Sequence, residues 1–361
     1  MRDLILRNRI VISPMCQYSA ENGSAGDWHL IHLGQLAIGG AGLLCLEATA
    51  VEPEGRITPG CLGLYSDENE SALAKILHLV RRISPIPLAI QLGHAGRKAS
   101  SDVPWKGGAL ISSAAGGWKT VAPSPIPHAV GETPPLALDH AGLGRIRGAF
   151  VQATFRADRL GFDALELHGA HGYLLHQFLS PIANRRTDEF GGTLENRMRF
   201  PLQVFEDVRS AWPNGKPLGI RISGTDWVEG GWNIEDSVAF ATELKHRGCD
   251  WVDVSSGGVS PTQKIPLGPG YQVHLAEKVK TASGMATMSV GLITDPKQAE
   301  EIVARGRADM VALARGMLYD PRWAWHAAAE LDGTVAYPPQ YSRCAPRDKQ
   351  HIFANPSVDQ R

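Results

Sequence analysis

The fold is decided by one stretch of sequence, Phe162-Asp163-Ala164-Leu165-Glu166-Leu167-His168-Gly169-Ala170-His171-Gly172-Tyr173. Its first half is mostly apolar and follows an amphipathic helical pattern that ends at Gly161, so it predicts a short buried strand. His168, His171 and Tyr173 come where this strand gives way to a loop. In a parallel α/β protein that position is the carboxyl end of a strand, where such folds assemble their ligand sites.

The three side chains suit the chemistry of an enzyme site. Two histidines three residues apart can donate hydrogen bonds to one oxygen, and a tyrosine two residues further on can reach past them to deliver a proton. No carboxylate lies within the cluster, so the cluster does not resemble a metal site. The alternative is that each histidine is a satisfied structural residue and that Tyr173 only packs its ring. Three titratable groups at one strand end favour the functional interpretation.

Strand and helix patterns alternate along most of the chain. Strands are predicted over residues 10–14, 43–48, 88–92, 162–167, 218–223, 251–255, 286–290 and 310–314. Helices are predicted over residues 27–39, 66–83, 194–212, 234–247, 273–282 and 296–305, with another capped by Asp139 and ending near Gly161, and a last one beginning near Pro321.

Repeated strand–helix units with short connections predict an α/β fold, a closed (β/α)8 TIM barrel, in which residues 1–361 form a single domain. The alternative is an open, doubly wound sheet. That fold would carry a glycine-rich nucleotide fingerprint after its first strand, where Met15-Cys16-Gln17-Tyr18 stands instead. One long irregular stretch, residues 99–138, is rich in Pro, Gly and Ser and predicts a loop that shapes the pocket.

Composition narrows the class of protein. A net charge of -1 gives no electrostatic footprint for nucleic acid or an anionic membrane. No stretch approaches the ~20 apolar residues of a membrane span, and the amino terminus lacks a signal-peptide pattern. The cysteines are scattered without a CxxC pair, which argues for a reducing compartment and against zinc or iron–sulfur sites; they are Cys16, Cys45, Cys61, Cys249 and Cys344. We therefore expect a soluble cytoplasmic protein.

In a barrel, the carboxyl ends of all strands face one mouth, so further residues are expected there: Cys16, Tyr18, Ala48, Gln91, Arg97, Arg221, Gly291 and Arg315. Each has a structural alternative. Cys16 could be a small buried filler, and Gln91 could satisfy backbone groups. Arg221 could pair with Asp226 or Glu229.

A phosphate site is expected between the last two strand ends. A backbone turn at Gly291 precedes a helix start, and residues 314–316 do the same after the final strand. Barrels frequently bind a phosphate between these two loops through backbone N–H groups. Arg315 adds a charged, forked donor.

Taken together, the chain resembles the Old Yellow Enzyme family of flavin-dependent ene-reductases, in its bacterial thermophilic-like or xenobiotic-reductase-like class. The resemblance covers essentially the whole chain, and its matching motifs occur in the right order. They are Arg7-Asn8-Arg9-Ile10, Ser13-Pro14-Met15-Cys16, Glu47-Ala48-Thr49-Ala50, residues 91–98, residues 168–173, residues 185–192 and Arg315.

The resemblance implies a non-covalent FMN at the barrel mouth. Ser13, Pro14, Met15, Cys16, Ala48 and His168 would line its ring, with Cys16 near the reactive edge. Gln91 would bond the pyrimidine edge, and Arg221 would sit near N1. Gly291, Ala314 and Arg315 would hold the phosphate, although Ala314 stands where glycine is usual.

The resemblance also implies a reaction. NADPH or NADH reduces the flavin and leaves, and an enone or enal takes its place. His168 and His171 bind the carbonyl oxygen, hydride passes to Cβ, and Tyr173 protonates Cα. Tyr18 resembles a second aromatic donor near the substrate oxygen. Nitro compounds are expected as further substrates.

The chain ends carry two expectations. Family members usually begin with a further strand and hairpin that cover the barrel floor, so either the start lies upstream or the floor is open. The C-terminal segment, residues 338–361, contains Arg343, which resembles an arginine that this class inserts into a neighbouring subunit. The resemblance thus implies a homodimer or homotetramer in which Arg343 binds substrate.

Other functions are distinguished by the residues that each of them requires. The dienoyl-CoA reductase and amine dehydrogenase branch adds a cluster-binding cysteine motif and a nucleotide domain, which this sequence lacks. A flavin-dependent N-demethylase on the same scaffold stays open. A non-flavin barrel lyase or aldolase needs a Schiff-base lysine or metal carboxylates at the strand ends, and Lys98, the candidate, lies beyond a polar turn. A pure binding protein would not need His168, His171 and Tyr173 together.

Overall fold

The strand–helix units close into a barrel of parallel strands in the computed structural model, which describes residues 1–353. Around the barrel the strands lie in the order β1-β10-β9-β8-β7-β6-β3-β2. The barrel strands are β1 (Ile10–Ile12), β2 (Leu43–Ala50), β3 (Leu88–Gly93), β6 (Ala164–Gly169), β7 (Leu218–Ser223), β8 (Trp251–Ser255), β9 (Thr287–Val290) and β10 (Met310–Leu313). The predicted closed (β/α)8 barrel is confirmed.

Helices cover the outside of the barrel. They are α1 (Asp27–Ala37), α2 (Asp67–Ile83), α3 (His140–Arg159), α4 (Leu174–Leu179), α5 (Leu194–Ala211), α6 (Ile234–His246), α7 (Val273–Ser283), α8 (Pro296–Ala304), α9 (Arg315–Tyr319) and α10 (Trp323–Glu330). Several begin at a side-chain cap; the Asp139 carboxylate accepts the Gly142 N–H at 2.8 Å, as the sequence predicts. Within residues 1–353, no helix is long and apolar enough to cross a membrane.

Side chains along each strand alternate between two apolar cores. On β6, Leu165 and Leu167 belong to the outer core between strands and helices, whereas Ala164 belongs to the inner core. Met1, Leu4 and Leu6 pack against the inner core from below. These amino-terminal side chains lie at the floor of the barrel, which argues against the alternative of an open floor.

One glycine makes room inside the barrel. A Cβ atom at Gly219 would lie 2.1 Å from Cε2 of Trp251, a side chain that is 1% exposed. The indole can fill the interior only because the neighbouring strand carries no side chain there. Its Nε1 donates a hydrogen bond to Oε2 of Glu166 at 3.1 Å.

The structure differs from the predictions in three elements. The strand predicted over 162–167 extends to Gly169, so His168 lies on the strand itself. The sequence pattern missed α4, because all of its residues are buried and a helix buried all round shows no amphipathic period. The long loop contains a short parallel pair, β4 (Val121–Ala122) and β5 (Leu136–Ala137).

Candidate active site

The three residues at the end of β6 meet in one corner of the barrel mouth. The ring centroids of His168 and His171 lie 5.1 Å apart, and those of His168 and Tyr173 lie 4.8 Å apart. A tight turn brings them together, with Gly172 at a φ of 73°. A Cβ atom there would lie 2.1 Å from the carbonyl oxygen of Gly258, so the turn requires glycine.

Hydrogen bonds fix the protonation of His168. Its Nδ1 accepts the Ala170 N–H at 3.2 Å, and burial together with Arg221 holds the pKa of the imidazole well below its usual value. The ring is therefore neutral, and its single proton is on Nε2, which leaves a donor for a ligand. His171 is also kept neutral, because burial and Arg221 lower its pKa, and its Nε2 lies 2.7 Å from Oγ of Ser255.

Tyr173 has a cationic neighbour, Lys98, which the sequence pattern placed beyond a polar turn and away from the strand end. The Lys98 ammonium lies 5.0 Å from the Tyr173 ring centroid and donates to the carbonyl of His171 at 2.8 Å. Burial, and next Arg97, lowers the pKa of Lys98 to about 8. Burial raises the pKa of Tyr173, so the phenol keeps its proton. Lys98 thus belongs to this corner, although nothing in its local pattern indicates so.

The loop after β1 brings Cys16 and Tyr18 to the mouth. Cys16 is half-buried, and burial, then Cys61, raises the pKa of its thiol. The Tyr18 ring packs edge-on against Trp105 at 5.7 Å, so the long loop of residues 99–138 contacts the loop after β1. Burial raises the pKa of Tyr18 as well. Both hydroxyl and thiol are therefore neutral.

Gln91 and Arg221 lie on the strands on either side of β6, and their partners differ from those considered from sequence. Gln91 Nε2 donates to Oε1 of Glu166 at 2.8 Å rather than to backbone groups. Arg221 Nε lies 3.1 Å from Oδ2 of Asp253, rather than pairing with Asp226 or Glu229. Glu166 and Asp253 are residues that sequence reasoning missed, although both occupy inward positions of predicted strands.

The expected phosphate corner joins two neighbouring strand ends. β9 and β10 are hydrogen-bonded neighbours, so Gly291 after β9 and Ala314 after β10 lie at the same edge. Gly291 has a φ of 122°, and a Cβ atom there would lie 2.7 Å from Nε2 of Gln272. Arg315 is exposed at the start of α9.

Three buried histidines hold loops that carry or flank the candidate site. Each histidine accepts a glycine N–H at Nδ1 and faces a carboxylate with Nε2. The three groups are His29 with Gly26 and Glu47, His94 with Gly96 and Glu52, and His176 with Gly172 and Asp226. The N···N distances are 3.1, 2.9 and 2.8 Å in that order. Sequence reasoning missed these sets, because the histidine and its carboxylate are far apart in the chain.

A closed parallel barrel with neutral donors at its mouth and a glycine turn beside its last two strands is typical of flavin-dependent oxidoreductase barrels. The chain belongs to the NADH:flavin oxidoreductase / NADH oxidase family, whose model matches residues 1–333. It is an FMN-dependent NAD(P)H oxidoreductase of the Old Yellow Enzyme type, as the resemblance indicated.

Individual proteins agree with this assignment. An NADPH dehydrogenase of Geobacillus sp. (strain WCH70) is 43% identical over 95% of this chain and 96% of its own. The structure of morphinone reductase is 26% identical, with a TM-score of 0.75 over 99% of this chain and 93% of that chain. Histamine dehydrogenase from Rhizobium sp. 4-9 is 26% identical with a TM-score of 0.75, covering 90% of this chain. The present chain spans only about half of that longer protein, since the match covers 46% of it.

Proposed function

We propose that the protein reduces the activated C=C bond of α,β-unsaturated carbonyl compounds, with NADPH or NADH as the reductant. One observation carries the proposal: His168, His171 and Tyr173 converge in one corner, and His168 presents an Nε2 proton with no charge on the ring. A neutral donor can hydrogen-bond a carbonyl oxygen and stabilise the negative charge that develops there.

The residues at the mouth fit the cofactor of the family. Ser13 is 1% exposed, and its hydroxyl has no hydrogen-bond partner within residues 1–353, as expected of a donor reserved for a ligand. The residues that would hold FMN are Ser13, Pro14, Met15, Cys16, Ala48, Gln91, His168, Arg221, Gly291, Ala314 and Arg315. FMN supplies two-electron transfer between the nicotinamide and the substrate.

The protein side chains would divide the remaining work. His168 and His171 bind the substrate oxygen, and Tyr173 holds a proton on its hydroxyl for delivery to Cα. The raised pKa of Tyr173, caused first by burial, favours the protonated form that this role needs. Tyr18 adds a second neutral hydroxyl at the same mouth. The same donors suit the oxygens of a nitro group, so nitro compounds are proposed as further substrates.

An anaerobic visible spectrum tests the reaction. We expect NADPH to bleach the yellow colour of the purified protein and 2-cyclohexenone to restore it. Bleaching without recovery would instead favour the N-demethylase, which needs an amine substrate. A colourless protein that takes up no added FMN would overturn the proposal and favour a non-flavin barrel enzyme.

Arg315→Ala is expected to weaken FMN binding by roughly 10- to 100-fold, because a charge-assisted hydrogen bond contributes about 1.5–3 kcal/mol. Flavin fluorescence on dilution would measure the release. Arg305→Ala is the matched control, since Arg305 is also an exposed arginine but pairs with Glu301 on the outer helix α8. Equal FMN affinity in wild type and Arg315→Ala would contradict the phosphate assignment.

We propose that Arg343 reaches a neighbouring subunit in a homodimer or homotetramer. Arg343 is exposed on a C-terminal segment that packs against α10, with Trp325 and Tyr341 at a ring distance of 6.2 Å; residues 354–361 lie outside the described residues. Arg343→Ala is expected to raise KM for the enone severalfold while the oligomer mass stays unchanged. Steady-state kinetics and native mass spectrometry would measure both. Wild-type kinetics in the variant would rule the role out.

A further inference from the structure

A buried polar layer lies inside the barrel, next to His168 of the candidate site. It consists of Gln91 on β3, Glu166 on β6, Arg221 on β7 and Asp253 on β8. All four side chains are nearly inaccessible, from 1% for Gln91 and Asp253 to 7% for Arg221. Glu166 lies two residues before His168 on the same strand and therefore faces the same interior.

The charges of this layer do not balance. It contains two carboxyl groups, Glu166 and Asp253, and one guanidinium, Arg221. Arg221 pairs with Asp253 at 3.1 Å, whereas Glu166 accepts only from neutral donors, Gln91 at 2.8 Å and Trp251 at 3.1 Å. A buried carboxylate without a cationic partner is costly, and a carboxyl group in that position normally takes up a proton.

The groups around Glu166 support a shared proton. Asp253 and Arg221 are the charged groups that face it, and the thiols of Cys45 and Cys249 are neutral because burial raises their pKa values. Burial, and then Asp253, raises the pKa of Glu166 to about 7. Oδ1 of Asp253 has no hydrogen-bond partner within residues 1–353, so this oxygen is available to a proton.

Two members of the layer are also assigned to the cofactor. Gln91 and Arg221 would face the pyrimidine edge of FMN, and each is bonded to one of the two carboxyl groups. Two electrons and one proton leave one negative charge on the reduced flavin. That charge would compete with Asp253 for Arg221 and would make the carboxyl pair bind a proton more tightly.

We propose that Glu166 is a positioning residue which, together with Asp253, takes up a proton from solvent when the bound flavin is reduced. This inference rests on the proposed placement of Gln91 and Arg221 at the pyrimidine edge. The nicotinamide supplies two electrons and one proton to the flavin as hydride, and solvent supplies the second proton to the carboxyl pair. Oxidation by substrate returns that second proton to solvent.

The test is the midpoint potential of the FMN-loaded enzyme as a function of pH. If one proton is bound for every two electrons, the midpoint potential falls with pH at a single slope. If two protons are bound for every two electrons, the potential falls twice as steeply. We expect the doubled slope in wild type over an interval that begins near neutral pH, where Glu166 is deprotonated beside oxidised flavin but protonated beside reduced flavin. E166Q keeps the shape of the side chain but cannot take up a proton, and it is expected to show the single slope throughout that interval.

Two further measurements keep the test decisive. Glu52→Gln is the matched control, because Glu52 is a buried carboxyl paired with His94 outside the layer, and it should keep the doubled slope. If E166Q does not fold, a pH-indicator dye can count the protons taken from solvent while NADPH reduces the wild type. One per FMN is expected above neutral pH, because the hydride itself supplies the proton on the flavin. A single slope in wild type, no uptake of solvent protons during reduction by NADPH, or a doubled slope that persists in E166Q would overturn the inference. Protonation of flavin N1 would double the slope on the acidic side and would persist in E166Q, so it is distinguishable.

This experiment separates the two proposals. A doubled slope without any reduction of 2-cyclohexenone would support the proton-linked layer and contradict the proposed substrate class. Reduction of the enone with a single slope would do the reverse.

Discussion

His168→Ala is expected to lower the rate of enone reduction by about 10²–10³-fold, the usual effect of removing one donor to a developing oxyanion. His168 is neutral and offers its Nε2 proton, because its Nδ1 accepts the Ala170 N–H. The effect should fall on the step in which reduced enzyme meets 2-cyclohexenone. Anaerobic stopped-flow mixing of the reduced enzyme with the enone measures that step directly.

A conservative variant and a surface control sharpen this prediction. His168→Asn keeps a neutral N–H donor and is expected to recover part of the lost rate. His326→Ala is the surface control. It removes a largely exposed histidine that pairs with Asp320, and this variant should react like wild type. Reoxidation of His168→Ala at the wild-type rate would show that the oxyanion is stabilised elsewhere.

Asp226→Ala is expected to lower the free energy of unfolding by about 3–5 kcal/mol, because each buried donor left without its acceptor costs about 1–3 kcal/mol. Asp226 is fully buried, faces Nε2 of His176 at 2.9 Å and accepts from Oγ of Ser180 at 2.6 Å and from the Trp232 N–H at 2.8 Å. The truncation leaves these donors without an acceptor. Urea unfolding followed by circular dichroism would measure the loss.

The control for Asp226→Ala is Asp67→Ala, an aspartate that is 89% exposed and paired with Arg156. A surface pair of this kind contributes about 0–1 kcal/mol. Burial raises the pKa of Asp226, but its partners, His176 first, lower it further, so the pKa lies below its usual value. The stabilisation is thus present at neutral pH and is lost as the pH falls through the folded-state pKa. Equal losses in the two variants would contradict the assigned role of burial.

The sequence by itself determined the architecture and the location of the site. Apolar strand patterns alternating with amphipathic helices predicted the barrel, and Asp139 predicted a helix start that the structure confirms. His168, His171 and Tyr173 lie close together in the chain at the end of β6, so local pattern was enough to predict that these rings meet. Local periodicity indicates which residues face inward, and the predicted end of each strand indicates which residues face the mouth.

Only the tertiary structure decided which buried groups pair with one another. Arg221 pairs with Asp253 on the next strand, and Glu166 bonds Gln91 on the strand before it. These partners depend on strand order and register, which closure of the barrel fixes and which no local period reports. His176 finds Asp226 for the same reason, since loops from different strands meet only at the mouth. A sequence pattern shows which face a side chain takes, whereas the energy of a buried charge depends on the neighbours that folding brings to it.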